Sequence, residues 1–68
     1  MKQVTAVKLA KAITQKGWKL ARIKGSHHVY IMNGRQERIV IPFHGNTPLK
    51  VGLLKSLMNI AGLSEKDI

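Results

Sequence analysis

Two glycine-containing turn signals divide the middle of this chain into three short strand-forming runs. Residues 24–26 read Lys-Gly-Ser and residues 33–35 read Asn-Gly-Arg. Asn-Gly is a strong hairpin signal because both residues tolerate the positive φ angles that a two-residue turn needs. The runs around the turns are predicted to pair as an antiparallel meander. They comprise residues 18–23, 27–32 and 37–42.

A helical segment is predicted on each side of the meander. Residues 5–16 repeat apolar side chains at helical spacing, and Gly17 stands where a C-terminal cap belongs. Thr47 is the predicted N-cap of the second helix, with Pro48 at its first position and Gly62 as its stop. The predicted core positions are Ala6, Leu9, Ala10 and Ile13 in the first helix, and Leu53, Leu54, Leu57, Ile60 and Ala61 in the second.

The predicted architecture is α+β, with element order α-β-β-β-α. Residues 1–68 are expected to form a single domain with one small core, because a chain of 68 residues cannot build two. A three-stranded sheet of this size buries one face only, so both helices are predicted to pack on the same face. This is the architecture of the double-stranded-RNA-binding-domain class.

Alternation along the second strand predicts which side chains face the helices. Val29 and Ile31 are β-branched and are expected to face the core, with His27 in line at its edge. His28 and Tyr30 are therefore expected on the open face. The two neighbouring histidines should then have different roles.

An excess of positive charge indicates the class of ligand. Twelve Lys and Arg residues against three Asp and Glu give a formal net charge of +9, and seven of the cations precede the first acid, Glu37. A small folded domain with this imbalance is expected to bind a phosphate-bearing polyanion, nucleic acid before a membrane surface. No apolar run approaches membrane-spanning length and no signal peptide is evident, so a cytoplasmic protein is expected.

Metal and cofactor chemistry find little support in the composition. The chain has three histidines and no cysteine, and its few carboxylates do not complete a zinc or magnesium ligand set. Ser26 and His28 lie on one predicted strand face, but no acid stands nearby to orient them as a dyad. We expect neither a metal site nor a small-molecule cofactor.

Metal-free RNA cleavage agrees better with these residues. RNA carries its own nucleophile, the 2′-hydroxyl, so a protein needs a proton-exchanging side chain and cations that steady the phosphate. An imidazole exchanges protons near neutral pH, and His28 is a candidate for this role. By themselves the residues favour a non-catalytic RNA-binding module. A DNA-binding protein finds less support because the sheet separates the two helices.

Motifs along most of the chain resemble one family. They are a first helix ending in KGW, the strand opening KGSHHVY, the strand exit IVIPFHG and the helix PLKVGLLKSLMNIAGLS. From Gly17 to Leu63 the sequence resembles the HicA toxin family, also described as YcfA-like mRNA interferases. The resemblance implies the toxin of a type II toxin–antitoxin system, a metal-independent endoribonuclease that cleaves mRNA and inhibits translation. It also implies a HicB-type antitoxin partner that covers the active site.

The resemblance also assigns roles to individual residues. The catalytic histidine of the family is the fourth position of the motif G-S-x-H, which is His28, and Gly25 matches the turn glycine. His27 falls at a variable position and is given a supporting or structural role. His44 matches a histidine often found after the third strand, where it would contact phosphate or form a local hydrogen bond.

Several further residues are candidates for RNA contact. Lys24 precedes the turn, and Ser26 lies within it. Arg22 and Lys19 are expected on opposite strand faces, so that only one of them faces RNA. Tyr30 is a candidate for stacking on a base, worth about 1–3 kcal/mol where it occurs, or for covering the sheet. Trp18 is expected to pack in the core, and Val51 and Met58 to form either the antitoxin contact or the core margin.

Overall fold

The predicted order of helix, three strands and helix is confirmed. A computed structural model of the protein describes residues 3–68, so that Lys2, one of the cations counted above, lies outside the described residues. The elements are α1 (Ala6–Gln15), β1 (Lys19–Lys24), β2 (His27–Ile31), β3 (Ile39–Pro42) and α2 (Val51–Ala61), followed by a short 3₁₀ helix (Glu65–Asp67). Within residues 3–68, neither helix has the length and apolar character needed to cross a bilayer.

Each end of α1 lies within one residue of the predicted end, since the helix was expected over residues 5–16. Thr5 is the N-cap, and its Oγ1 accepts a hydrogen bond of 3.3 Å from the Lys8 backbone N–H. The last helical residue is Gln15, Lys16 is the C-cap, and Gly17 comes next. Its buried stripe contains Ala6, Leu9, Ala12 and Ile13, whereas Ala10 is only partly buried.

The predicted start of α2 is wrong by three residues. Pro48 forms an isolated antiparallel bridge with Thr5, and the Leu49 N–H donates to the Val4 carbonyl over 2.8 Å. This long-range pairing keeps residues 48–49 extended, so the helix begins only at Val51. The predicted stop at Gly62 is confirmed, since that residue adopts the left-handed conformation.

The three strands form one antiparallel sheet in the order β1-β2-β3. The second hairpin differs from the expected two-residue turn. Of its two central residues only Gly34 has a positive φ, and the Arg35 N–H donates to the Met32 carbonyl over 3.1 Å. β3 then starts at Ile39, later than the predicted residue 37, so the connection is longer than a tight hairpin.

Cross-strand pairing shows that the predicted faces of β2 are reversed. Tyr30 pairs with Ile39 and His28 pairs with Ile41, and both isoleucines are completely buried beneath the helices. Directly paired residues point to the same side of a sheet, so His28 and Tyr30 face the helices. The expectation that they lie on the open face is wrong. The open face instead carries β-branched side chains, among them Ile31 and Val40.

The helices pack over β3, and β1 is exposed along its whole length. The β1–β2 register shifts between Leu20 and Arg22, which marks a β-bulge at Ala21. Lys19 pairs with Ile31 and Arg22 pairs with Val29, so both cations lie on the open face. The prediction that they lie on opposite faces is wrong because the bulge inserts one extra residue between them.

The core contains most of the side chains predicted for it. Trp18 is buried as expected, and so are Leu54, Leu57 and Ala61. Leu53 is 38% exposed, and that prediction is wrong. Of the two positions assigned to either antitoxin contact or core margin, Met58 is buried in the core. Val51 is exposed.

Candidate active site

His28 lies at the border between the core and solvent. It is the second residue of β2, it is half-buried, and its cross-strand neighbours are Ile23 in β1 and Ile41 in β3. Ile41 is completely buried, whereas Ile23 is 56% exposed. The imidazole is therefore enclosed on the β3 side and open toward β1. Although it faces the helices, it is not sealed beneath them.

Phe43 packs directly against this imidazole. The two ring centroids are 3.7 Å apart and the ring planes are inclined by 19°, which is a stacked arrangement. Phe43 follows β3, and its N–H donates to the Ser26 carbonyl over 2.7 Å, so its backbone is held beside the start of β2. The stack determines the plane of the His28 ring and leaves the two nitrogens on its edge.

Among the side-chain hydrogen bonds within residues 3–68, none engages either His28 nitrogen. The ring is thus positioned by packing rather than by a polar partner. Within residues 3–68, its nitrogens therefore have no side-chain hydrogen bond that an incoming ligand would have to replace. This combination distinguishes it from a histidine whose hydrogen bonds are satisfied inside the protein.

The predicted site residues divide between the two faces of the sheet. Lys24 pairs with His27 and Arg22 pairs with Val29, which places these cations and His27 on the open face, opposite His28. The structure therefore does not bring His27 and His28 together. The cations of β1 reach the His28 side only around the edge of that strand, since β1 is the outer strand of the sheet.

Tyr30 is not available to stack on a base as predicted. It is 5% exposed and belongs to the buried core. Burial also raises the pKa of its phenol above the usual value, because the charged form would lose its hydration. The prediction failed because β-branching is a poor guide to which face of a small sheet is covered.

The turn and loop candidates lie at the same end of the sheet as His28. Ser26 and His44 are both exposed, and the Thr47 N–H donates to the His44 carbonyl over 3.1 Å. Gly25 has a φ of +59°, and a Cβ there would meet no heavy atom within 4 Å. A side chain at Gly25 would be disfavoured by the backbone angle rather than by a collision.

The acidic side chains with ion-pair partners lie away from His28. Arg35 donates two 3.2 Å hydrogen bonds to the Glu37 carboxylate, and these lower the pKa of Glu37. Asp67 accepts from the Ser64 N–H over 2.8 Å, which lowers its pKa, and lies 3.9 Å from the Lys16 ammonium. Neither ion pair includes a cation of β1. No group of three or more His, Cys, Asp or Glu in the described part of the chain could hold a metal ion.

Two contacts around the site were missed at the level of sequence. Phe43 lies within the quoted motif IVIPFHG, and its spacing from Ile39 and Ile41 places it on the helix-facing side. That alternation would have indicated a neighbour for His28 once the face of β2 was known. The sequence contains no comparable signal for the exposure of Ile23 beside the imidazole, because that exposure depends on where the helices pack.

Comparison with known families gives one match. A family model described as HicA toxin of bacterial toxin-antitoxin matches residues 7–63 of the 68-residue chain. The matched range contains β1, β2, β3 and α2, with His28 and Phe43. A search of curated proteins finds no significant match.

Proposed function

This chain belongs to the HicA toxin family of bacterial toxin–antitoxin systems, and from that premise we propose that it is a metal-independent endoribonuclease that cleaves mRNA. The observation that supports the proposal best is the half-buried His28 imidazole, which is stacked on Phe43 and makes no side-chain hydrogen bond within residues 3–68. Cleavage of mRNA in the cytoplasm would inhibit translation. A HicB-type antitoxin would neutralise the toxin.

The reaction needs only proton transfer and charge stabilisation. The 2′-hydroxyl of the substrate loses its proton to a base and attacks the adjacent phosphorus, and the 5′-oxygen leaves with a proton from an acid. The products are a 2′,3′-cyclic phosphate and a 5′-hydroxyl. His28 performs one of these proton transfers, and cations on β1 steady the phosphate as its charge redistributes.

The matched pair His28 and His27 provides a direct test. His28→Ala should lower the rate of RNA cleavage by about 10²–10⁴-fold, the usual contribution of a general acid or base. His27→Ala should retain cleavage, because its side chain is exposed on the opposite face. His28→Gln provides a second variant whose polar side chain preserves more of the packing. Circular dichroism establishes that each variant is folded.

Contaminating nuclease and metal dependence are tested in the same assay. Cleavage should continue in EDTA, and it should disappear in the His28 variants purified in parallel. Full cleavage by folded His28→Ala would contradict the assignment, as would activity that EDTA abolishes and magnesium restores.

The alternative function is a non-catalytic RNA-binding module of the same fold. The half-burial of His28 favours it, because a structural histidine packed on an aromatic ring would look the same. Binding of RNA without cleavage by the wild-type protein would identify this alternative. Identical binding by His28→Ala would support it further.

A further inference from the structure

β1 is an outer strand with an open edge. Within residues 3–68 it pairs with β2 alone, and all six of its residues are exposed. Such an edge presents unpaired backbone N–H and C=O groups on which another chain can add a strand. β3, at the other edge of the sheet, is shorter and contacts both helices.

The two faces of β1 have opposite chemistry. On the helix-facing side, Leu20 is 47% exposed and Ile23 is 56% exposed. On the open side lie Lys19, Arg22 and Lys24, and none of them belongs to a salt bridge found within residues 3–68. The bulge at Ala21 produces this division, since it brings Lys19 and Arg22 to the same side.

The cationic side and the apolar side of β1 together indicate which kind of chain could pair with its edge. A second copy of the protein would place another row of cations beside the first, which is unfavourable. An extended segment that alternates acidic and aliphatic residues would match both faces at once. Its carboxylates would meet the three cations, and its aliphatic side chains would cover Leu20 and Ile23. RNA offers charge for the open side but no side chains for the apolar side.

We propose that the β1 edge is the docking site for an extended acidic segment of the antitoxin, which adds to the sheet as a fourth strand. The identity of the partner rests on the proposed toxin function, whereas the chemistry of the segment follows from β1 itself. An added strand lies about 4.8 Å from β1. On the helix-facing side it borders Ile23, the cross-strand neighbour of His28. Binding at this edge closes the side from which the imidazole is open.

The test uses a synthetic peptide and nuclear magnetic resonance of the whole protein. The probe is an eight-residue peptide of alternating glutamate and valine with blocked termini, at low salt. Chemical-shift changes and slowed amide exchange should concentrate at residues 19–24. A peptide N-methylated at alternate residues should bind at least about tenfold more weakly when the methyl groups occupy the pairing edge, because β-addition depends on backbone hydrogen bonds.

Protein variants separate the edge from general electrostatics. Arg22→Glu should weaken peptide binding by about tenfold or more, since it replaces an attraction by a repulsion. Lys55→Glu is the matched control, because Lys55 is an exposed cation on α2, away from β1. This variant should bind the peptide as the wild type does. His28→Ala should bind the peptide normally, so that loss of cleavage and loss of docking are distinguished.

Three results would overturn the proposal. The first is equal binding by the N-methylated peptides, which would mean attraction by charge alone. The second is equal weakening by Lys55→Glu and Arg22→Glu. The third is a set of shift changes centred on the open-face residues of β2 and β3 rather than on β1.

Discussion

Each end of the sheet carries an aromatic side chain packed against a basic residue. At one end His28 stacks on Phe43, with centroids 3.7 Å apart. At the other, the Arg35 guanidinium lies 5.4 Å from the centroid of the Trp18 ring. The two basic side chains differ in their hydrogen bonds. Arg35 also donates to the Glu37 carboxylate and, at a distance of 3.0 Å, to the Ile60 carbonyl. The His28 side chain has no such partner within residues 3–68.

The comparison separates a basic side chain that is hydrogen-bonded inside the protein from one that has no side-chain hydrogen bond within residues 3–68. Arg35 ties the β2–β3 connection to the end of α2 and covers Trp18, and it makes three hydrogen bonds inside the protein. His28 is held by packing on Phe43, and no side-chain hydrogen bond within residues 3–68 engages its nitrogens, which agrees with the proposed role in proton transfer. We therefore expect substitutions at the Trp18 end to change stability and those at the His28 end to change cleavage.

The largest effect is expected for Trp18→Ala. Trp18 is completely buried, and truncating a buried Trp costs about 3–5 kcal/mol, close to the whole stability of a small domain. The variant should lose cooperative thermal unfolding, measured by far-ultraviolet circular dichroism. Trp18→Phe should lose less than half as much stability, partly because it removes the indole N–H, which is buried and has no hydrogen-bond partner among residues 3–68. Similar melting of Trp18→Ala and wild type would show that this end does not stabilise the fold.

The second-largest effect is expected for substitutions of Phe43, the aromatic ring that stacks on His28. Phe43→Leu should lower the turnover number for RNA cleavage by roughly ten- to a hundredfold, because a misplaced catalytic group loses orientation. Phe43→Tyr keeps an aromatic ring and should retain most of the activity. Both variants should bind RNA with nearly unchanged affinity, since Phe43 is half-buried beside β2. A drop in affinity with unchanged turnover would assign Phe43 to substrate binding instead of to positioning.

Local signals in the sequence were sufficient for the order of the elements. The Gly-containing turns and the helical periodicity depend on neighbouring residues, and the element order that they predicted agrees with the structure. The details of the second hairpin and the core position of Leu53 do not. The start of α2 failed for a physical reason: Thr47 and Pro48 form a good local helix start, but Pro48 pairs with the distant Thr5. The sequence around Thr47 shows the local preference for a helix start, but it does not show the pairing with a distant residue that overrides this preference.

The geometry of the site depended on information that one strand does not carry. The face of β2 follows from its pairing with Ile39 and Ile41, and the common side of Lys19 and Arg22 follows from the bulge at Ala21. His28 was singled out by its motif, and that role remains a prediction. Its neighbour Phe43 and its open side toward Ile23 required the packed structure.

A smaller effect is expected for Arg35→Ala. The change removes the hydrogen bonds to Glu37 and to the Ile60 carbonyl and uncovers Trp18. Because the guanidinium is exposed, solvent screens these interactions, and the melting temperature should fall by only a few degrees. RNA cleavage by the folded variant should equal that of the wild type. A large loss of cleavage without a loss of stability would mean that the two ends of the sheet are functionally coupled.

The smallest effect is the response of stability to acid. The hydrogen bond from Arg35 lowers the pKa of Glu37 below its ordinary value of 4.5, so the folded protein binds a proton there less readily than the unfolded chain. The stabilisation is therefore present above pH 4.5 and is lost as the pH falls through the lowered pKa. Glu37→Gln should melt slightly below the wild type near neutral pH and lose less on acidification, measured as melting temperature from pH 7 to pH 3. Parallel acid curves for the two proteins would show that the carboxylate adds nothing to the contact at the Trp18 end.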